Sequence, residues 1–173
     1  MRAIVFVTAL LLAGPAAAEV VDSQPNGFEV RQSAAIKAPA AKVYADLVKI
    51  GAWWGSDHSW SGDARNITID ARPGGCWCET WAGGGVLHMT VIDAQPGKQL
   101  RFAGALGPLS FSGLDGHMAW TLGEKDGVTT VTWTYAVGGY VRGGLGQWPA
   151  GVDKVLTEQL ERFKRFEETG KPD

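Results

Sequence analysis

The chain has 173 residues, 45% of them hydrophobic and 20% charged, with a formal net charge of −2. That length accommodates one ordinary domain, the composition excludes both a disordered chain and a bundle of membrane spans, and the lack of basic excess argues against nucleic acid as a partner. Glycine (24) and tryptophan (8) are over-represented, so many turns and several large buried rings are expected.

Residues 1–18 read as a secretory signal peptide. Arg2 supplies the positive start, Ala3 to Ala13 is apolar, Gly14-Pro15 breaks the run, and Ala16-Ala17-Ala18 fits a small-x-small cleavage site. The apolar run falls short of the roughly 20 residues that a stable span requires. Cleavage would leave Glu19 as the first residue of a periplasmic or secreted protein with no membrane anchor. Residues 19–27 form a polar lead-in, and Phe28 to Lys37 alternates as a first strand. Ala38-Pro39 opens a helix with Val43, Tyr44 and Leu47 on one face, because proline is at home in a first helical turn. That helix ends at Lys49-Ile50-Gly51, and Trp53-Trp54-Gly55 follows as a turn or short helix.

Asn66 to Asp70 alternates as a strand, and from there to Val137 the chain reads as antiparallel hairpins. Gly75–Trp81 and Val86–Ala94 flank the turn Ala82-Gly83-Gly84-Gly85, and Pro96-Gly97 leads into Gln99–Ala103. His117–Gly123 and Val128–Val137 flank Asp126-Gly127, a strong hairpin signal. Gly138 to Trp148 is a glycine-rich loop. Pro149 to Thr169 carries Val152, Val155, Leu156, Leu160 and Phe163 at helical spacing, and 170–173 is a tail. At 1.5 Å per residue this helix is about 30 Å long, enough to cross a sheet. The fold expected is α+β: a curved antiparallel sheet wrapped around a long C-terminal helix.

This order, together with Ile36-Lys37-Ala38-Pro39-Ala40 and Val43-Tyr44, then Trp53-Trp54-Gly55, then Arg72-Pro73-Gly74-Gly75, resembles the SRPBCC (START-like, helix-grip) superfamily. The similarity runs from about Glu29 to Phe166 and is greatest toward the branch of polyketide cyclase-like proteins and heat-shock-chaperone ATPase activator C-terminal domains. The resemblance implies a helix-grip domain over residues 28–169 with a largely apolar cavity between sheet and helix. Members bind lipids, sterols, polyketides or aromatic compounds, some catalyse reactions there, and no cofactor is common to them. The chain departs from that pattern in its export signal, which tells against the activator role. It departs also in its extra tryptophans and in the glycine-rich segment before the last helix, placed to form or gate a cavity mouth.

The candidate chemistry centres on the first hairpin. Cys76 and Cys78 fall on one face of a strand, about 6.5–7 Å apart, which is the limit of disulfide reach. A bridge and a pair of small buried hydrophobes are both open readings. With Gly83-Gly84 at the tip, His88 lies opposite Glu79, and Trp77, Glu79, Trp81 and His88 share one face while Cys76, Cys78, Met89 and Val91 share the other. Facing inward, Glu79–His88 is a carboxylate–imidazole pair suited to general acid–base work; facing outward, it is an ordinary cross-strand pair. A two-residue Pro96-Gly97 loop pairs Val91 with Phe102 and favours the cysteine face as the inner one, so the two turns point opposite ways. Asp57-His58 is a second acid–base candidate, in a loop. No cysteine–histidine spacing matches a zinc site.

In the last hairpin Asp126-Gly127 sets Trp120 against Trp133, Met118 against Tyr135 and Leu122 against Val131, an apolar strip that is core or cavity wall, and leaves His117 on the surface. No nucleophile elbow or P-loop is present in the sequence. The sequence therefore points first to an exported binding protein for a small hydrophobic or aromatic molecule, without a cofactor or metal, whose ligand contacts Trp77, Trp81, Met118, Trp120, Trp133, Tyr135 and Leu156. The alternatives are a cyclase-, lyase- or hydrolase-like cavity enzyme using Glu79, His88 or Asp57-His58, and a protein-interaction module.

Overall fold

The computed structural model describes residues 17–173. Eight antiparallel strands form one sheet: β1 (Ala17–Gln24), β2 (Gly27–Ile36), β3 (Ile67–Ile69), β4 (Cys76–Trp81), β5 (Gly84–Gln95), β6 (Gln99–Ala103), β7 (Gly113–Lys125) and β8 (Val128–Tyr140), ordered β1-β2-β8-β7-β6-β5-β4-β3. Two α-helices, α1 (Ala40–Leu47) and α2 (Pro149–Thr169), and short 3-10 turns at Ile50–Ala52, Ser56–His58, Ala64–Asn66 and Gly107–Phe111 complete the described chain. Only the β2–β8 pairing is non-sequential, so most of the sheet is a meander. The helix-grip expectation is met.

Local signals explain most of the elements. Asp126 (φ 52°) and Gly127 (φ 75°) take the positive-φ conformations of a two-residue hairpin turn, which gives the predicted register of Trp120 on Trp133, Met118 on Tyr135 and Leu122 on Val131. The start of α1 is capped from the sheet, where Glu124 Oε2 accepts from the Ala40 N–H at 2.8 Å. Gly170, at φ 77°, ends α2 as a left-handed cap.

The polar lead-in proves to be an edge strand. Residues 17–24 pair with β2 through a bulge at Val21, satisfying backbone groups that β2 would otherwise leave open on that side. Ala17 and Ala18, read as the end of the signal segment, pair with Ser33 and Gln32, and the rest of that segment lies outside the described residues. The glycine-rich stretch also shortens: β8 runs on to Tyr140, and the loop is held by buried Leu145, whose N–H donates to Pro25 O at 3.0 Å.

Alternation along β2 turns Phe28, Val30, Gln32, Ala34 and Ile36 inward, where α2 packs against β2 and β1. Gln32 is fully buried and its Nε2 donates to Asp153 Oδ1 of α2 at 2.7 Å, tying helix to sheet. The centre of the core is aromatic. Trp120 and Trp133 stack with centroids 4.9 Å apart and 19° between planes, and Trp53 lies 5.9 Å from Trp133 and 5.1 Å from Phe163 of α2. Trp133→Ala is expected to lower stability by about 3–5 kcal/mol, read as a reduced denaturant midpoint. A loss below about 1 kcal/mol would show that this stack does not hold helix and sheet together.

Candidate functional site

A cleft of about 680 Å³ lies between the first turns of α2 and the end of the sheet. One wall comes from Trp148, Val152, Val155 and Leu156, a second from Leu106–Leu109, and a third from the 57–60 segment; Trp54, Trp77, His88 and Tyr135 close the inner side. The lining is mostly apolar and aromatic, as small-molecule sites are.

The first hairpin decides which side chains reach this cleft. The turn is tighter than the sequence suggested, with Ala82-Gly83 at its tip, so that Trp81 pairs with Gly84 and Glu79 with Val86. Further along, Trp77 pairs with Met89 and Cys78 with Leu87, which leaves His88 as the extra residue of a β-bulge. The bulge resolves the conflict between the two turn signals. Trp77 and Glu79 face inward from β4, while both His88 and Met89 are buried on β5; Val91 also faces inward and pairs with Phe102, not through the expected two-residue loop but because Gln95 pairs with Gln99 and a second bulge at Ile92 offsets the longer turn. Alternation alone assigns His88 and Met89 to opposite faces.

Cys76 and Cys78 form a disulfide with Cα atoms 5.3 Å apart, closer than a regular strand allows, beside the bulge. Trp81 leaves the proposed ligand set: it sits at the hairpin tip, 37% exposed, with its ring over Gly84, whose missing Cβ makes room for it. Met118, Trp120 and Trp133 leave it too, since they are packed within the core and do not line the cleft. Trp77, Tyr135 and Leu156 do line it. The sequence reading missed Trp54, Trp148 and Leu109. Only the double-tryptophan string and the helical stripe before Leu156 carried a signal for that side of the wall.

Glu79 is fully buried and accepts from three directions: the Trp60 N–H at 3.0 Å, the Ser61 N–H at 2.5 Å, and His88 Nε2 at 3.1 Å. Burial alone would raise its pKa, but the Ser61 and Trp60 donors and His88 outweigh that and hold the carboxyl below its ordinary value. Burial lowers the pKa of His88 despite the neighbouring carboxylate. At neutral pH the pair is therefore a carboxylate and a neutral imidazole whose Nε2–H donates to Glu79. His58 and Asp57 sit at the cleft rim, where His58 Nε2 lies 3.7 Å from Glu158 Oε2 and Asp57 is exposed. The Tyr135 hydroxyl accepts from Leu106 N–H at 2.8 Å and donates to Gly104 O at 3.2 Å, and burial raises its pKa.

Comparison with known proteins is consistent with this architecture. The family described as polyketide cyclase / dehydrase and lipid transport matches residues 27–166. Among solved structures, a conserved protein of unknown function, EF2215 from Enterococcus faecalis, is 15% identical with a TM-score of 0.60, over 85% of this chain and 75% of its own. The Aha1 dimer from Colwellia psychrerythraea is 17% identical with a TM-score of 0.58, over 82% and 97%. CalU16 from Micromonospora echinospora is 14% identical with a TM-score of 0.56, over 91% and 84%. At such identities these likenesses concern the fold alone. No curated protein matches the sequence.

The paired shifts give a signed pH dependence. Both folded values lie below the ordinary ones, 6.5 for His88 and 4.5 for Glu79, so on acidification the unfolded chain takes up these protons first. Their contribution to stability is complete above pH 6.5 and is lost as pH falls, through His88 first and then Glu79. Melting temperatures from pH 7.5 to 5 are expected to fall more steeply for the wild type than for His88→Phe. Parallel curves would show that His88 does not titrate with folding.

Proposed function

The chain belongs to the polyketide cyclase / dehydrase and lipid transport family, and from that premise we propose that it is an exported protein that binds a small hydrophobic or aromatic molecule in the cleft between sheet and α2. The observation that carries this reading is the cleft itself: about 680 Å³, walled by Trp54, Trp77, Trp148, Leu109, Val155 and Leu156. Such a surface selects by shape and burial. Removing 200–300 Å² of ligand surface from water contributes roughly 5–8 kcal/mol before ordering costs.

A flat hydrophobic probe such as 2-methylnaphthalene is expected to bind in the micromolar range and to change tryptophan emission, because four indoles (Trp54, Trp60, Trp77 and Trp148) lie on the wall. Val155→Trp fills the cleft from the half-buried face of α2 without emptying the core, and is expected to weaken binding at least about tenfold. Unchanged affinity in that variant would place the probe elsewhere, and the absence of saturable binding by folded protein would end the reading.

A second reading, a cavity enzyme, is favoured by one observation: the 3.1 Å Glu79–His88 pair behind the cleft wall. There Glu79 orients the imidazole and His88 acts as general base. Recovery of bound candidate substrates chemically unchanged supports the binding protein; conversion by wild type and not by His88→Phe supports the enzyme.

Export rests on the signal-like residues 1–18. N-terminal sequencing of protein recovered from an exporting host is expected to begin at Glu19. An intact Met1-Arg2 terminus in a membrane fraction would refute it.

A further inference from the structure

Two ring nitrogens of residues on the cleft wall, His88 Nδ1 and Trp77 Nε1, are buried and lack a hydrogen-bond partner among the described residues. Their rings are neighbours, with centroids 6.2 Å apart. Buried polar groups are seldom left unpaired, so two on adjacent residues of one cleft call for an explanation. Trp133 Nε1 has the same deficit, but it belongs to the packed core and is out of a ligand's reach.

The two nitrogens are opposite in kind. An indole N–H can only donate. His88 gives its Nε2 proton to the ionised Glu79, and its ring is neutral, so Nδ1 keeps a lone pair and can only accept. The remaining polar group near the inner side, the Tyr135 hydroxyl, is already occupied by Leu106 and Gly104. The unused hydrogen-bonding capacity here is thus one acceptor beside one donor.

Resting on the binding reading above, we propose that the ligand is a hydrophobic ring compound bearing a neutral hydroxyl at its inner end, which donates to His88 Nδ1 and accepts from Trp77 Nε1. Other groups fit less well. A carbonyl only accepts, and would leave Nδ1 unpaired. An ammonium only donates, and would face the indole N–H. A carboxylate would set its charge against the Nδ1 lone pair and near the buried Glu79 carboxylate, with no Lys or Arg among the described residues that line the cleft. A hydroxyl alone among these satisfies both nitrogens with one atom. Because both nitrogens are shielded from solvent, the ligand's inner end must part the two rings to reach them, a side-chain adjustment of the kind common on binding.

The test uses three probes of nearly equal size on the full chain: 2-naphthol, 2-methylnaphthalene, which has no hydrogen-bonding group, and 2-methoxynaphthalene, which only accepts. Tryptophan emission titrations are expected to show 2-naphthol binding at least about tenfold more tightly than either of the others, in line with sites built around a ligand hydroxyl. His88→Phe is expected to abolish the preference, so that 2-naphthol and 2-methylnaphthalene bind with equal affinity. The wild-type comparison stands even if that variant fails to fold. Equal, saturable binding of 2-naphthol and 2-methylnaphthalene would overturn the hydroxyl assignment and leave the binding reading intact. Equal binding of 2-naphthol and 2-methoxynaphthalene would overturn His88 as acceptor. A tenfold preference that survives in folded His88→Phe would overturn it as well. No saturable binding of any probe would overturn both the assignment and the reading beneath it.

Discussion

A carboxylate with no access to water must find its donors inside the protein, and Glu79 is such a carboxylate. Its three partners come from different places: two backbone N–H groups of the 60–61 segment and an imidazole from the neighbouring strand. Meeting that demand draws the segment between α1 and β3 against the sheet and turns the bulged residue of β5 inward. The same segment is also fastened to α2, where Gln159 Oε1 accepts from the Gly55 N–H at 2.7 Å, so the cleft is framed by elements tied to one another. Breaking one contact would leave a buried charge short of a donor, which is far more costly than the pair is stabilising.

The aromatic residues divide into two populations with different work. Trp53, Trp120, Trp133 and Phe163 lock helix to sheet, and their mutual contacts leave no space for a guest. Trp54 and Trp77 link that cluster to the cleft, with rings edge to face at 5.3 Å, so the inner wall is backed by the core. A cleft backed in this way is preformed except where a ligand's inner end parts Trp77 and His88, which limits the ordering cost of binding. The three solved structures compared above are 14–17% identical to this chain, and a fold carried by such different sequences says little about ligand. The particular polar atoms on the wall say more.

Much of the fold was legible in local patterns because local physics decides it. Asp126-Gly127 takes positive φ at both residues, one of the two turn geometries whose twist suits a two-residue hairpin, so every pair between β7 and β8 followed from that dipeptide. The stripe from Val152 to Phe163 and the Gly170 stop identified α2. The edge strand β1 was not legible: half of its residues are polar and its two valines are exposed, so no buried face marks it, and it exists because β2 offers an open edge.

The candidate site was legible as residue types and not as positions. Glu79, His88, Trp77, Tyr135 and Leu156 were identifiable as candidates, and the alternating pattern of β4 placed Trp77 and Glu79 on one face. The first turn placed His88 with them, but whether that face turned inward together with Met89 and Val91 depended on the bulge at His88, and a bulge leaves no mark in alternation; it shows only as contradictory faces from the two turns that bound the strand. Likewise, periodicity marks Trp133 and Tyr135 alike as inward-facing, but only the packing of Trp53 and α2 decides that the first is core and the second is wall. The sequence by itself determined the order of elements, the long hairpin and the helix that covers the sheet, because turn dihedrals and side-chain periods act over a few residues. Tertiary structure decided the cleft, since a cavity is space that elements far apart in the chain fail to fill, and no local pattern records it.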